Sequence, residues 1–444
     1  MGGGAADLPL ASQPVSSPPA PDEERPRRRW WIPGPVPAGV REGHVRTLGF
    51  VAFAMLFENY DLGLVGAALP QIAADFGLGS AAKGTFMGAI EMGALFAFLI
   101  VPLADRFGRR RLLLACVVGM SLGSLLTAFA PNASVFAAFQ ILTRSFATAA
   151  TVVSFVIVSE EFPAAHRGWG IGMLGAVGAA GFGLGAVVYS QVKVLPYGWR
   201  AIYALGGLAI LLLPLFRRRI QETRRFRENA ARQGDAPAAW SGALRPVGDL
   251  ARRYPQRAAL LGLAAFLATV GHRPAFRFVS DFLQTQHGWS PGDYAIMTVL
   301  GGALGILGSP LAGRLGDRFG RRLVGAALLI PFPLVASFFY MGPGSALVPP
   351  WIAMVFVSMG SAVVLRTLAT ELFPTDMRSS AGGWLLLVET LGAAAGLFLY
   401  AVIETRIGDW GTALTLVAVA AAAGAAFLLF LPDTHRRELE EISG

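Results

Sequence analysis

The chain carries the stretch GRLGDRFGRR at residues 313–322, between two long apolar runs. A near copy, LADRFGRRR, occupies residues 103–111 and also separates two apolar runs. A second pair of segments keeps almost the same separation, with EEFPAAHR at residues 160–167 and ELFPTDMR at residues 371–378. Because two different motifs recur at matched positions, the sequence indicates one structural unit that is written twice.

These motifs resemble the loop signatures of the major facilitator superfamily, and the resemblance covers residues 46–431. The form G-x-x-x-D-R-x-G-R-R follows the second apolar run of each half, and E-x-F-P-x-x-x-R follows the fourth. The first copy departs from the pattern at Val101, where glycine is expected, whereas Gly313 keeps it. The resemblance implies an all-α integral membrane fold, with twelve transmembrane helices in two six-helix bundles related by the internal repeat.

The composition agrees with a membrane protein. Of the 444 residues, 54% are hydrophobic and only 15% are charged. Many apolar runs approach the ~20 residues that cross a bilayer. The net charge of +9 could indicate a nucleic-acid partner, but the basic residues lie between the apolar runs, as expected for cytoplasmic loops of a membrane protein. The single cysteine, Cys116, excludes an internal disulfide.

The sequence shows no metal-ligand cluster, no phosphate-binding loop and no nucleophile–base spacing. We therefore expect no enzymatic activity, no metal and no cofactor, with a proton gradient as the energy source. The expected partners are a small-molecule substrate and the lipid bilayer, without nucleic acid, and the protein is expected to be a monomer.

The chain divides into tails, bundles and a linker. The predicted segments are a disordered cytoplasmic tail at 1–45, an N-terminal six-helix bundle at 46–216, a cytoplasmic linker at 217–257, a C-terminal six-helix bundle at 258–431 and a cytoplasmic tail at 432–444. The predicted helices are 46–70, 81–103, 112–130, 133–158, 168–189, 200–216, 258–283, 290–312, 323–341, 346–370, 380–403 and 411–431. Because the arginine-rich segments all fall on one side of this count, both termini are predicted to be cytoplasmic, in the cell (inner) membrane.

Glycine pairs with G-x-x-x-G spacing lie in predicted helices 2, 5, 8 and 11, and this spacing lets two helix backbones approach closely. In the superfamily these four helices meet where the two halves touch, so the resemblance implies the same contact here. The alternative is glycine abundance alone, since the chain has 54 glycines.

Several ionisable residues fall inside predicted spans, where each costs about 2.5–3.5 kcal/mol on insertion scales and needs a partner, water or a function. The candidates for proton coupling are Asp61, Glu58, Glu91 and Glu389, and those for substrate binding are Arg144, His272 and Arg273. Asp61 and Arg273 occupy matched places in the two halves. Because carriers built from repeats place their site at the midplane between the halves, we predict that these residues surround a central cavity.

The carboxylates also have structural interpretations. Asp61 could form a permanent ion pair with Arg144, and Glu58 could simply face water. Glu91 and Glu389 could be neutral, hydrogen-bonded acids at helix contacts.

The basic residues likewise have alternatives. His272 could be a core histidine with satisfied hydrogen bonds. Arg277 and Asp281 are predicted to lie at the outer mouth and to reach water, and Arg366 to lie at a gate or a headgroup contact.

The recurring loops supply a candidate cytoplasmic gate. Its residues are Asp105, Arg109, Glu160, Glu161, Arg167, Asp317, Arg321, Glu371 and Arg378. The resemblance implies that both aspartates bond to helix starts of the opposite half, where free N–H groups and the helix dipole favour a carboxylate. It also implies that each loop arginine pairs with a glutamate at the end of helix 4 or 10, and that these pairs hold the inner side shut. The alternative is a solvated loop that only directs topology.

These features predict a secondary active transporter that moves a small solute, preferably an organic anion, by proton-coupled alternating access. The segment ENYD at residues 58–61, followed by ALP at 68–70, resembles organic-acid and aromatic-acid symporter branches. The alternative is a drug or metabolite:proton antiporter, a branch that usually has a Gly-Pro pair in helix 5, where this chain has glycines but no proline. A non-transporting membrane sensor is the third hypothesis, and the two intact gate motifs argue against it.

Overall fold

The computed structural model describes residues 36–37, 39–214, 217, 222–223, 245–374 and 377–432. Within these ranges the chain is helical and contains no β-strand. Most of the predicted N-terminal tail, most of the predicted linker up to 244, the end of predicted helix 6 at 215–216 and the tail from 433 lie outside the described residues.

Twelve helices form the framework of the described chain, and eleven of them are long and apolar enough to cross a membrane. The first half contains α1 (Glu42–Ala67), α2 (Ser80–Ile100), α3 (Arg109–Ala128), α4 (Ala133–Glu161), α5 (Arg167–Tyr189) and the shorter α6 (Trp199–Leu211). The second half contains α7 (Pro255–Arg277), α8 (Pro291–Phe319), α9 (Arg321–Tyr340), α10 (Val348–Glu371), α11 (Arg378–Ile407) and α12 (Trp410–Leu429). The predicted all-α architecture of twelve helices in two bundles is confirmed.

The first helix of each half is followed by a short second helix, Leu69–Phe76 after α1 and Val279–His287 after α7. The predicted continuous helices at 46–70 and 258–283 are therefore wrong at their ends. The backbone leaves helical geometry at one residue in each case, Ala68 (ψ 3°) and Phe278 (ψ 1°). Apolar residues lie on both sides of each break, so the hydrophobic pattern did not reveal it.

A helix at Arg245–Arg253 lies inside the predicted linker and was not anticipated. It packs against α7 and α11, and it buries Val247 and Leu250. This part of the linker is therefore attached to the second half.

Each D-R-F-G-R-R loop turns at its glycine. Gly108 has φ 96° and Gly320 has φ 93°, in a region that residues with a Cβ atom rarely adopt. Helices α3 and α9 begin at the next residue, Arg109 and Arg321 respectively. The repeated turn thus places the two loop arginines in equivalent positions.

Two helices that start at the end of the bundle away from the D-R-F-G-R-R loops, α4 and α12, begin with side-chain caps. The Asn132 side chain accepts a 3.0 Å hydrogen bond from the Val135 amide at the start of α4. The Asp409 side chain accepts a 2.7 Å hydrogen bond from the Thr412 amide at the start of α12, and hydrogen bonding from Thr412 lowers the pKa of Asp409. These caps satisfy donors that the first helical turn leaves open.

We call the end of the bundle that carries residues 103–111 and 313–322 the motif end, and the other end the opposite end. The halves meet where α2 packs against α11 and α5 packs against α8, as expected for these four helices. In α2, a Cβ atom on Gly84 would lie 2.8 Å from the Leu397 carbonyl oxygen, so glycine permits this contact. The corresponding glycines of the other three helices contact their own half instead, namely Gly181 against α1, Gly301 against α10 and Gly392 against α7.

Candidate functional site

Four charged side chains from both halves meet around Glu91, in the middle of α2. Glu91 of α2 accepts two hydrogen bonds from Arg277 of α7, at 2.5 Å from Nη2 and 2.9 Å from Nε. Arg144 of α4 lies 3.3 Å from the second carboxylate oxygen of Glu91. The Nε atom of Arg273, one turn before Arg277, lies 3.9 Å from Oε1 of Glu91. The Glu91–Arg277 contact therefore joins the two halves directly.

This cluster contains three guanidinium groups and one carboxylate. Arginine stays charged even when it is buried, so the four groups carry excess positive charge. The Glu91 side chain is only 2% exposed, whereas Arg273 is 32% exposed and its Nε atom has no hydrogen-bond partner among the described residues. The Nε atom is buried, so a carboxylate ligand would reach the exposed part of the Arg273 guanidinium, and guanidinium–carboxylate pairs form strong hydrogen bonds.

Two further carboxylates lie on α1 beside this cluster. Asp61 Oδ1 lies 2.9 Å from the Ser124 hydroxyl of α3, and Glu58 accepts a hydrogen bond from the Thr151 hydroxyl of α4. The alternative of a direct Asp61–Arg144 ion pair is wrong, since Arg144 pairs with Glu91. Both carboxylates on α1 are therefore held by hydroxyl groups, and Arg144 acts on Asp61 only at longer range.

The remaining central candidates lie in the second half. Glu389 of α11 is half-buried, and no hydrogen bond or ion pair joins it to another described residue. His272 packs its ring against Phe332, with 4.1 Å between ring centroids. Its Nε2 atom is buried without a hydrogen-bond partner among the described residues.

Arg277 and Asp281, predicted to reach water at the outer mouth, are instead buried. Asp281 pairs with Lys83 of α2 at 2.6 Å, and both side chains are almost fully enclosed. The prediction fails because the helix after α7 packs across the two halves against α1 and the short helix Leu69–Phe76, and Lys83 of α2 reaches Asp281 there. One signal was present in the sequence: Arg273 and Arg277 are one helical turn apart and share a face.

The opposite end is closed by contacts between the halves. The Gln71 side chain donates a 2.9 Å hydrogen bond to Gln284, and Ser280 donates a 2.6 Å bond to the Ala67 carbonyl. Trp410 donates a 2.8 Å hydrogen bond from its indole nitrogen to a serine hydroxyl at the start of α2. Together with the Lys83–Asp281 pair, these contacts close the end at which α1 and α7 finish.

Among the described residues, the ion pairs at the motif end join residues of the same half. Arg109 lies 3.2 Å from Glu160 and 2.9 Å from Asp105. The second half repeats this arrangement, with Arg321 at 3.2 Å from Glu371 and 2.5 Å from Asp317. The expectation that the two aspartates bond to the opposite half is wrong for this conformation, because each one pairs with the arginine one turn later and is largely exposed.

The other gate candidates lie next to these pairs. Glu161 ends α4, while Arg167 and Arg378 start α5 and α11. The Nε atoms of both arginines are buried without a hydrogen-bond partner within the described ranges. Arg366 of α10 is exposed, so it lies outside the central charge cluster.

The sequence and the fold are similar to those of known membrane proteins. Residues 51–397 and 261–443 match the family model described as the Major Facilitator Superfamily. A solved structure described as the D-xylose-proton symporter superposes with a TM-score of 0.72 at 18% identity, and covers 88% of this chain and 98% of its own. An inward open conformation of the xylose transporter XylE from E. coli gives a TM-score of 0.71 at 17% identity, over 90% of this chain and 99% of its own.

Curated relatives match along most of the chain. The gallate transporter of Pseudomonas putida is 28% identical and covers 86% of this chain and 90% of its own length. The niacin transporter of Acinetobacter baylyi is 24% identical over 90% of this chain and 96% of its own length. The gentisate transporter of Corynebacterium glutamicum is 26% identical over 87% of this chain and 89% of its own length.

Proposed function

The chain belongs to the major facilitator superfamily, and we propose that this multi-pass membrane protein is a secondary transporter that carries small aromatic carboxylates together with protons. The observation that carries the proposal is the group of three arginines around the single carboxylate of Glu91. An anionic substrate fits such a group, since a neutral or cationic ligand would not compensate the positive charge that remains when Asp61 is protonated.

Arg273 is the group that we assign to the substrate carboxylate. Arg277 and Arg144 are committed to Glu91, whereas Arg273 is the most distant of the three and the most exposed. Its planar guanidinium can bind a carboxylate through two parallel hydrogen bonds. A substrate at Arg273 would therefore add a second carboxylate to the cluster without displacing Glu91.

The chemistry of the relatives supports an aromatic acid. Gallate, gentisate and niacin each carry a carboxylate on an aromatic ring, and their transporters match nearly the full length of this chain. His272, the residue before Arg273, packs its ring against the fully buried Phe332.

Proton coupling follows from the charge balance of the site. When Asp61 and Glu58 are both ionised, they offset the excess charge of the arginine cluster. Protonation of Asp61 removes one negative charge and strengthens the attraction for an anion. By linkage, a bound anion favours protonation of Asp61 to the same extent, so the proton and the anion bind together.

Alternating access would use the two ends in turn. The structure has a closed opposite end, and the motif-end ion pairs lie within each half. We propose that this conformation is open towards the motif end, that the motif end faces the cytoplasm and that the Arg109–Glu160 and Arg321–Glu371 pairs take part in closing it. The arginine-rich loops at the motif end support this orientation.

The function is tested with purified protein in liposomes and a labelled benzoate-type acid. Benzoate and its ring-substituted acids should compete for uptake, whereas benzamide, which lacks the charge, should not. Arg273→Gln should raise KM by roughly tenfold or more, as expected for the loss of hydrogen bonds to a charged group. The control is Arg406→Gln, because Arg406 is an exposed arginine at the end of α11 in the same half. Equal competition by benzamide, or an unchanged KM for Arg273→Gln, would refute the proposal.

A further inference from the structure

Glu389 of α11 is an acidic residue inside a membrane span that the charge cluster around Glu91 does not include. Its side chain is partly accessible, and it forms no hydrogen bond or ion pair with another described residue. Ionisable residues inside a span pair with other groups or line the path of a substrate, because contact with lipid is costly. Glu389 therefore requires a partner that the protein itself does not supply in this conformation.

The Glu389 side chain lies on the side of α11 that faces α7. Gly392 packs so closely against α7 that a Cβ atom there would lie 2.5 Å from the Phe266 carbonyl oxygen, and Gly396 contacts the Val270 carbonyl in the same way. Residues three or seven positions apart share a face of a helix, so Glu389 lies on the face that carries both glycines. Its carboxyl group is therefore directed into the second half and not towards lipid.

The same glycine contacts show how far Glu389 lies from Arg273. Helices α7 and α11 run in the same direction, since each step of four residues along α11 matches four residues along α7. Arg273 follows Val270 by three residues, towards the opposite end. Glu389 precedes Gly392 by three residues, towards the motif end. At 1.5 Å per residue, about 15 Å separate the two backbones along the helix axes.

The space between the two side chains is wider than a hydrogen bond. Glu389 interacts electrostatically with Arg366 of α10 and with Arg273, but neither arginine forms an ion pair with it. Arg273 is 32% exposed, so part of its guanidinium is accessible beyond the contact with Glu91. A ligand with two polar ends can therefore reach Arg273 with one end and Glu389 with the other.

The two ends of this space have complementary chemistry. A guanidinium group only donates hydrogen bonds, whereas a carboxyl group has an oxygen that accepts them in both its ionised and its neutral form. A ligand that satisfies both ends needs an acceptor at one end and a donor at the other. An aromatic acid has both when its ring carries a hydroxyl or amino group remote from the carboxylate.

We propose that Arg273 and Glu389 form the two ends of one substrate site, in which Arg273 binds the carboxylate and Glu389 accepts a hydrogen bond from a donor on the far side of the ring. This inference rests on the proposed function and narrows its substrate class to aromatic acids that carry such a donor. Glu389 thereby sets the specificity of the carrier. A site that is built to bind a ring hydroxyl disfavours an analogue without it, because the acceptor is then left unpaired.

The test compares two competitors for the uptake of labelled benzoate into liposomes, 4-hydroxybenzoate and 4-methoxybenzoate. They share the ring and the carboxylate, but the methoxy group has no hydrogen to donate. In the unmodified protein, 4-hydroxybenzoate should compete at a concentration about tenfold lower, as expected for one hydrogen bond to a carboxyl group. In Glu389→Met, which removes the acceptor oxygens, the difference between the competitors should shrink to about twofold or less.

Two further variants control for other effects of the substitution. Glu389→Gln keeps an oxygen that accepts hydrogen bonds and should keep most of the difference between the two competitors. Glu404→Met is the matched control, since Glu404 is a partly accessible acid on the same helix, about four turns closer to the opposite end. It should leave the difference unchanged. The comparison in the unmodified protein tests the site even if Glu389→Met does not fold.

The outcomes separate this inference from the proposed function. If the two acids compete equally in the unmodified protein, or if their difference survives in Glu389→Met, the carrier transports aromatic acids but the role of Glu389 is refuted. If Glu389→Met keeps the difference and loses accumulation driven by a pH gradient, Glu389 serves proton coupling and the inference is overturned. If the liposomes take up no labelled benzoate, the proposed function fails and this inference fails with it.

Discussion

Replacement of Asp281 by asparagine should open the opposite end of the transporter. Lys83 Nζ lies 2.6 Å from the Asp281 carboxylate, and the two residues belong to different halves. Their side chains are 9% and 0% exposed, so the pair is buried. Loss of one partner from a buried pair costs about 3–5 kcal/mol, because the other charge is left unpaired. This cost falls only on conformations in which the opposite end is closed.

The size of the shift between closed and open conformations follows from this cost. A cost of about 3 kcal/mol lowers the ratio of closed to open conformations by roughly 100-fold. Lys83 keeps a contact with the Trp410 ring, at 4.8 Å from the ring centroid, which compensates part of the loss. We therefore expect the ratio to fall by about 10- to 100-fold in the Asp281→Asn variant.

The assay is the rate at which a membrane-impermeant maleimide labels a cysteine at position 284. Gln284 is half-buried in the closed end, where it bonds to Gln71 and Tyr189. The native Cys116 is buried and is replaced by alanine in the background. Asp281→Asn should raise the labelling rate, because the end opens more often.

The double variant Lys83→Met/Asp281→Leu should restore the slow labelling rate, since it leaves no buried charge without a partner. The control is Asp75→Asn, which breaks a pair with Arg200 at the same end but within the first half and partly in water. If Asp281→Asn labels at the original rate, or if the double variant labels as fast as the single one, the pair does not hold the end closed.

Three further predictions follow from the site and the loops. Asp61→Asn should fold and exchange labelled for unlabelled substrate, but it should lose accumulation driven by a pH gradient; normal accumulation would exclude Asp61 as the proton carrier. Asp317→Asn should slow the transport rate more than it changes ligand affinity, because Asp317 contacts Arg321 at the motif end and not the central cluster; a large loss of affinity at an unchanged rate would contradict this role. A cysteine at Ser134 should label from outside the cell and one at Ser241 should not, and the reverse pattern would invert the orientation.

The fold could be predicted because its signals are local. Apolar runs of membrane-spanning length and two repeated motifs give the helix count and the two-bundle plan. The short helices after α1 and α7 were missed, since a break at Ala68 or Phe278 interrupts the backbone and not the apolar pattern. The helix at Arg245–Arg253 was missed because its apolar pattern is short: among its described side chains, Val247, Leu250 and Ala251 enter the apolar packing.

The charged residues of the site could be predicted from the sequence, but their ion-pair partners could not. Mid-membrane charges stand out in the sequence because each one is costly there. Their partners depend on which helix faces touch: Arg144 could reach Asp61 or Glu91 on sequence grounds, and the packing of α4 against α2 selects Glu91. Arg277 was assigned to water because it lies towards the outer end of the predicted helix 258–283, and only the contact between the halves shows that this end is enclosed.

The repeat also shows how a symmetric fold supports an asymmetric site. At the opposite end, Gln71 and Gln284 occupy nearly matched places and hydrogen-bond to each other, so the same position of the repeat closes the end from both sides. In the centre, the matched places hold opposite charges, with Asp61 on α1 and Arg273 on α7. The symmetric positions can therefore open and close together. Under the proposed function the asymmetric ones would divide the chemistry, with the acid of one half holding the proton and the arginine of the other holding the anion. The loading of each would then influence the other, which is the physical requirement for coupling a proton gradient to the movement of an anion.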